Sequence, residues 1–114
     1  MNLNLKKSEN TVIIYLEGRL DVHLSADIEK EINKLIESEP GSSLLLNLKD
    51  VEYMSSSGLR IFVSTMRILK EENRKLVLCN MNNAVKKIFE VVELTDMFDI
   101  FNSEEEALKF LKSL

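Results

Sequence analysis

The sequence predicts one α/β domain spanning residues 1–114, with a mixed, mostly parallel sheet of about five strands, about four helices and an N-terminal β-hairpin. Three observations predict it. Short β-branched or leucine-rich runs alternate with stretches of helical period, the pattern of strands joined by right-handed helical crossovers. The connections between them are short. A 114-residue chain with 45% hydrophobic and 30% charged residues, three glycines and one proline suits a single folded core rather than a disordered or fibrous chain.

NLNLKK (residues 2–7) alternates apolar and polar residues as an edge strand does, and KSEN turns it back onto TVIIYLEG (11–18), a β-branched strand stopped by Gly18. RLDVHL follows as a loop. Ser25 is the expected N-cap of a helix over ADIEKEINKLIES, with Asp27 and Glu29 in its first turn and Ile28, Ile32, Leu35 and Ile36 on one stripe. EPGSS ends that helix, and LLLNL (44–48) reads as a strand buried on both faces.

KDVEYMSSSG then reads as a loop into a helix over LRIFVSTMRILKEE, where Leu59, Phe62, Val63, Met66 and Leu69 point inward and Ile61 and Ile68 broaden the stripe. RKLVLCN (74–80) is a further buried strand. NNAVKKIFEVVE is a helix with Val85, Ile88, Phe89 and Val92 inward, and MFDIF is a last short strand. In SEEEALKFLKSL, Ser103 and Glu106 have the spacing of a capping box, and Ala107, Leu108, Phe110 and Leu111 form the inner face.

Composition excludes several function classes. A net charge of −4 is wrong for a binder of nucleic-acid backbone, which needs a basic face. Cys79 is the only cysteine, so an intrachain disulfide and a four-thiolate zinc site are impossible, and its apolar neighbours make it a buried structural thiol. The N-terminus lacks the apolar core of a signal peptide, and no run approaches the roughly 18 apolar residues of a membrane span. A cytoplasmic protein without a membrane partner is expected.

Three glycines, at 18, 41 and 58, cannot assemble a phosphate-binding loop or a dinucleotide fingerprint. A magnesium-dependent phospho-acceptor domain needs clustered aspartates at strand ends, where this chain offers Asp50 alone. No metal or cofactor is expected. A hydrolase pairing Ser56 with His23 and Asp21 is conceivable, yet G-x-S-x-G and an oxyanion loop are missing, and His23 reads as an exposed polar residue near a helix start. No enzyme is expected.

The serines in VEYMSSSGLRIF remain. One hydroxyl suffices for an N-cap and three are supplied, and a glycine in the first helical turn costs about 1 kcal/mol relative to alanine. A flat, hydroxyl-bearing helix start is a surface that another backbone, or a phosphoryl donor, can approach closely.

The stretch NLKDVEYMSSSGLR resembles the signature of the bacterial anti-sigma factor antagonists, the STAS-domain proteins: a strand ending in Asn/Asp-Leu, a short acidic link, an aromatic-aliphatic pair, then Asp or Ser, Ser, Ser or Ala, Gly, Leu. LEGRLDVHLSADIEKEI is similar to that family's first loop and helix, and the segment from LCNMNNAV to EEEAL follows its C-terminal half. The resemblance implies a STAS fold and a non-enzymatic partner switch. Ser56 would be phosphorylated by a partner kinase of the ATPase fold that is also the anti-sigma factor; the unphosphorylated form would bind that kinase and free a sigma factor, and a serine phosphatase would reset it. Asp21, Ser55, Ser57 and Gly58 would form the partner surface, with Ser55 standing where sporulation-type members carry Asp and other members carry Ser. Members are usually monomeric when free. The alternative within the same fold is a STAS scaffold, or a regulatory subunit of a stress-signalling assembly or transporter.

Overall fold

The computed structural model describes residues 3–114; Asn2, where the predicted edge strand begins, lies outside them. The elements run β1 (Asn4–Ser8), β2 (Thr11–Leu20), α1 (Val22–Ser38), β3 (Ser43–Met54), α2 (Ser56–Glu71), β4 (Leu76–Cys79), α3 (Asn83–Val91), a 3-10 turn (Thr95–Met97), β5 (Asp99–Phe101) and α4 (Glu104–Lys112). The strands lie side by side in chain order, β1 antiparallel to β2 and every later pair parallel. The hairpin closes through Glu9 and Asn10, with Ser8 opposite Thr11 and Glu9 at positive φ. Lys6 and Lys7 on the exposed β1 discourage pairing of that edge with another chain.

Strand alternation divides the core between two faces. Val12, Ile14 and Leu16 of β2 and Leu44, Leu46 and Leu48 of β3 pack under α1, α2 and α3 through Ile28, Ile32, Phe62, Leu69, Val85 and Phe89. Ile13, Leu45, Val77 and Cys79 point the other way and are covered by α4 through Ala107, with Leu108, Phe110 and Leu111 beside it. Fully burying side chains of this size stabilises a fold by about 1.5–3 kcal/mol each before entropy is counted. Arg74, predicted within a strand, instead precedes β4. It is buried, donates to the carbonyls of Ile36, Glu39 and Ser42 and pairs with Glu72, tying the end of α1 to the start of β4.

Several expectations are corrected. α1 starts at Val22 with Asp21 as its N-cap, so Ser25 is a buried residue of the second turn and the first turn holds no acidic residue. The reason is that β2 keeps pairing with β3 as far as Leu20 opposite Met54, which leaves Asp21 as the first residue free to cap. β3 likewise runs through most of the segment read as a loop. Its register slips against β2 between Tyr15 and Glu17 and again between Gly18 and Arg19, and Gly18 has φ +89°. Each irregularity breaks the two-residue period by which strands are recognised. α2 begins at Ser56, three residues before the expected start. Ile68 and Val92, expected to face inward, are exposed: Ile68 lies beyond the edge of the α2 stripe, and Val92 is the C-cap of α3.

Candidate functional site

β2 and β3 end level with each other, Leu20 opposite Met54, and each passes at once into a helix. Asp21 caps α1: its Oδ1 accepts from the Leu24 amide at 2.9 Å. Ser55 caps α2: its Oγ accepts from the Gly58 amide at 3.3 Å and donates to the Leu20 carbonyl at 2.7 Å. The Ser55 amide donates to the same carbonyl at 3.0 Å. Asp21 and Ser56 therefore flank a hydrogen-bonded Leu20–Ser55 pair, and two helix N-termini open at one end of the sheet.

Gly58 lets this happen. A Cβ there would meet Met54 Cγ at 2.8 Å and the Cβ and carbonyl oxygen of Leu20 at 3.3 Å. The backbone that the small residue admits is thus the chain's own, and Gly58 is buried, so it shapes the helix start rather than lying on its surface.

The three serines differ. Ser55 is half-buried with its hydroxyl committed as donor and acceptor, Ser57 is half-buried, and Ser56 is exposed as the first residue of α2. His23 is exposed as the second residue of α1, and among the described residues it shares no hydrogen bond with Ser56. Asp50 and Glu52 line a shallow cleft with Glu17, Gly18, Lys49, Val51 and Asn82; Ser56 is not part of its wall.

Sequence reasoning missed two neighbours. Tyr53, one residue before the end of β3, lies beneath the Arg19 guanidinium, 4.7 Å from ring centroid to Cζ, and stays 40% exposed. Such a stack contributes about 0.5–1 kcal/mol at an exposed position. The register that makes the pair depends on the second β3 irregularity, which no local pattern signals. Val22, the first residue of α1, is 64% exposed; no local signal in the sequence marks it, because Asp21 becomes the cap only through the pairing of Leu20 with Met54. With Ser56 and Asp21 they leave both polar and apolar side chains exposed where β2 and β3 end.

The perturbed acidities lie on the α4 face. Burial, then the Glu104 carboxylate, pushes the Cys79 thiol up to about 12, and burial with a hydrogen bond to Glu104 pushes the Tyr15 phenol up to about 12. Asn47 Nδ2 donates to Glu104 Oε1 at 3.1 Å in the same cluster. These groups are held protonated, the opposite of what a nucleophile needs. Among the described residues no three His, Cys, Asp or Glu side chains are grouped to hold a metal ion, and no helix is long and apolar enough to cross a membrane.

The model of a family described as "STAS domain" matches residues 2–107. The anti-sigma-B factor antagonist of Bacillus subtilis is 31% identical over 105 residues, covering 92% of this chain and 94% of its own. The anti-sigma F factor antagonist of Paenibacillus polymyxa is 25% identical and covers 98% of this chain and 97% of its own. Among solved structures, the anti-sigma factor antagonist SpoIIAA in its unphosphorylated form superposes with a TM-score of 0.84 at 26% identity, over 99% of this chain and 98% of that one. The phosphorylated form of the Bacillus cell fate determinant SpoIIAA superposes with a TM-score of 0.74 at 26% identity, over 96% and 99%.

Proposed function

The chain belongs to the STAS-domain family of anti-sigma factor antagonists, and from that premise we propose that it is a partner switch gated by phosphorylation of Ser56. The unphosphorylated protein binds an anti-sigma factor that is also an ATPase-fold serine kinase, and so releases a sigma factor. Phosphorylation of Ser56 ends the contact, and a serine phosphatase restores it. Asp21, Ser55, Ser57 and Gly58 build the docking surface, Gly58 from beneath, with Val22 and Tyr53 as its apolar anchors.

One observation carries the choice of Ser56. It is the exposed serine of the three, while Ser55 spends its hydroxyl on Leu20 and Gly58. That a SpoIIAA relative exists in unphosphorylated and phosphorylated forms of similar fold supports the reading. Phosphoserine adds about −1.5 to −2 charges at neutral pH. The amides of the first helical turn have no intrahelical acceptor, so an anion at Ser56 leaves the domain folded. An interface closed over a neutral hydroxyl is different. Burying the dianion beside Asp21 is costly, and a penalty of roughly 2.7 kcal/mol already weakens binding a hundredfold.

The test uses wild-type, Ser56→Ala and Ser56→Asp proteins as baits in lysate of the native organism. Captured proteins are identified by mass spectrometry, and the wild-type and Ser56→Ala baits are then supplied with ATP for phosphopeptide mapping. The expected result is capture of an ATPase-fold serine kinase by wild type and Ser56→Ala, its loss with Ser56→Asp, and ATP-dependent phosphate on Ser56 of wild type. Equal capture of that kinase by the aspartate variant, or phosphate on Ser55 or Ser57 instead, overturns the reading.

A further inference from the structure

Negative side chains stabilise the start of a helix, yet the first turn of α2 has none. The helix instead places Arg60 four residues after Ser56, and both side chains are exposed. Residues at i and i+4 share a helix face, with Cβ atoms about 5–6 Å apart. Helical side chains also lean toward the N-terminus, so the surface covered by Arg60 is the turn that begins with Ser56. No acidic residue stands three or four positions from Arg60 in α2, and among the described residues it forms no ion pair. A cation near the positive end of a helix is mildly unfavourable. Among the described residues, Arg60 of the unmodified protein is thus a charge without an ion-pair partner.

We propose that Arg60 is the binding residue for the phosphoryl group carried by Ser56, an internal contact that stabilises the phosphorylated form of the free protein. This rests on reading Ser56 as the phosphoacceptor. The guanidinium fork matches two phosphate oxygens and donates two N–H bonds to them, a geometry that a lysine ammonium does not reproduce. The other charged and titratable groups at this end of the sheet include Glu17, Arg19, Asp21, His23, Lys49, Asp50, Glu52 and Tyr53. Arg19 is stacked on Tyr53, the Asp21 carboxylate accepts from Leu24, and Asp50 and Glu52 line the separate cleft. Phosphorylation therefore does two things at once. It places a dianion on the docking surface and draws the exposed Arg60 cation out of reach of a partner.

The measurement is a 31P NMR titration of protein in which phosphoserine is installed at position 56 during translation, in wild-type, Arg60→Ala and Arg60→Lys forms. An opposite charge in contact favours the dianion, so the second ionisation, near pH 6 for free phosphoserine, is expected about half a unit lower in wild type than in Arg60→Ala. Arg60→Lys recovers part of the shift, and about 1 M salt suppresses most of it. Equal midpoints in wild type and Arg60→Ala overturn the proposal. Because translation rather than a kinase sets the phosphate, the outcome does not depend on what is phosphorylated in the cell. Absence of kinase-dependent phosphate on Ser56 counts against the partner switch alone, and equal midpoints count against Arg60 alone.

Discussion

Ser55 is bound twice to Leu20, 35 residues earlier, its amide and its hydroxyl both donating to the one Leu20 carbonyl at 3.0 and 2.7 Å. Leu20 is the last residue of β2, and Ser55 is the only residue between β3 and α2. The bond pair therefore fixes the start of α2 against the start of α1. Ser56 and Asp21 need no loop rearrangement to come together, and a partner that reads both meets a surface already in place.

That arrangement predicts a specific cost for losing the hydroxyl. Ser55→Ala removes the N-cap, worth about 0.5–2 kcal/mol, and one partly buried hydrogen bond, worth about 1 kcal/mol. A domain of this size should lose roughly 4 °C of melting temperature per kcal/mol. Ser55→Asp keeps a good capping group but brings a carboxylate against the Leu20 carbonyl in place of a donor. Thermal unfolding should rank wild type above Ser55→Asp, and a Ser55→Asp protein as stable as wild type would mean that the charge it adds at the start of α2 offsets the lost Leu20 bond.

Gly58→Ala sets helix propensity against packing. Alanine gains about 1 kcal/mol in a helix interior, but its Cβ would lie 2.8 Å from Met54 Cγ and 3.3 Å from the Leu20 carbonyl oxygen. Strain of this kind typically costs about 1–3 kcal/mol, so the net change is expected to be destabilising. Adding Met54→Ala removes the closest contact, so in urea unfolding the cost of Gly58→Ala should be smaller in a Met54→Ala background than in wild type.

The element order was legible because each apolar run keeps one period throughout: Ile13 and Leu45 serve one face of the sheet, Ile14 and Leu46 the other. The edges of elements were not. Ser25 has the chemistry of a cap, and only the nonlocal pairing of Leu20 with Met54 moves that role to Asp21. Val51 and Met54 both enter the core although three positions separate them, which a two-residue period cannot accommodate without a bulge. In the site, the serines and Asp21 stand in a recognisable motif. The division of labour among the serines, the Arg19–Tyr53 stack and the placement of Ser56 and Arg60 four residues apart in one helix emerge only once β3 and α2 have their true limits.

The α4 face predicts a response to alkali. Folding raises the Cys79 thiol from 9.0 to about 12 and the Tyr15 phenol from 10.0 to about 12. Below the unfolded values both states hold their protons, so the contribution is fully present. As pH rises through 9 and 10 toward 12, the unfolded chain binds fewer protons than the native one and stability falls. Urea midpoints measured from pH 8 to 11 should decline over the upper part of that range, and less steeply in Cys79→Ala, whatever its starting stability. A native-state thiol reagent should label Cys79 only as fast as the protein opens; rapid labelling at pH 8 would contradict the buried, protonated thiol.

Asp21 has two duties that one substitution separates. Its carboxylate caps α1 by accepting from the Leu24 amide, and under the partner-switch reading its charge belongs to the docking surface. Asparagine is as good an N-cap as aspartate, so Asp21→Asn should retain the fold within about 0.5 kcal/mol, whereas Asp21→Ala should cost about 1 kcal/mol. Binding to the purified anti-sigma kinase should respond to the charge rather than the cap. Loss of a single favourable charge pair worth about 1.4 kcal/mol weakens association about tenfold, mostly at low ionic strength and through the association rate if Asp21 lies at the rim. If Asp21→Asn binds as wild type does while Asp21→Ala binds weakly, the residue serves the interface only by holding the end of α1 in place.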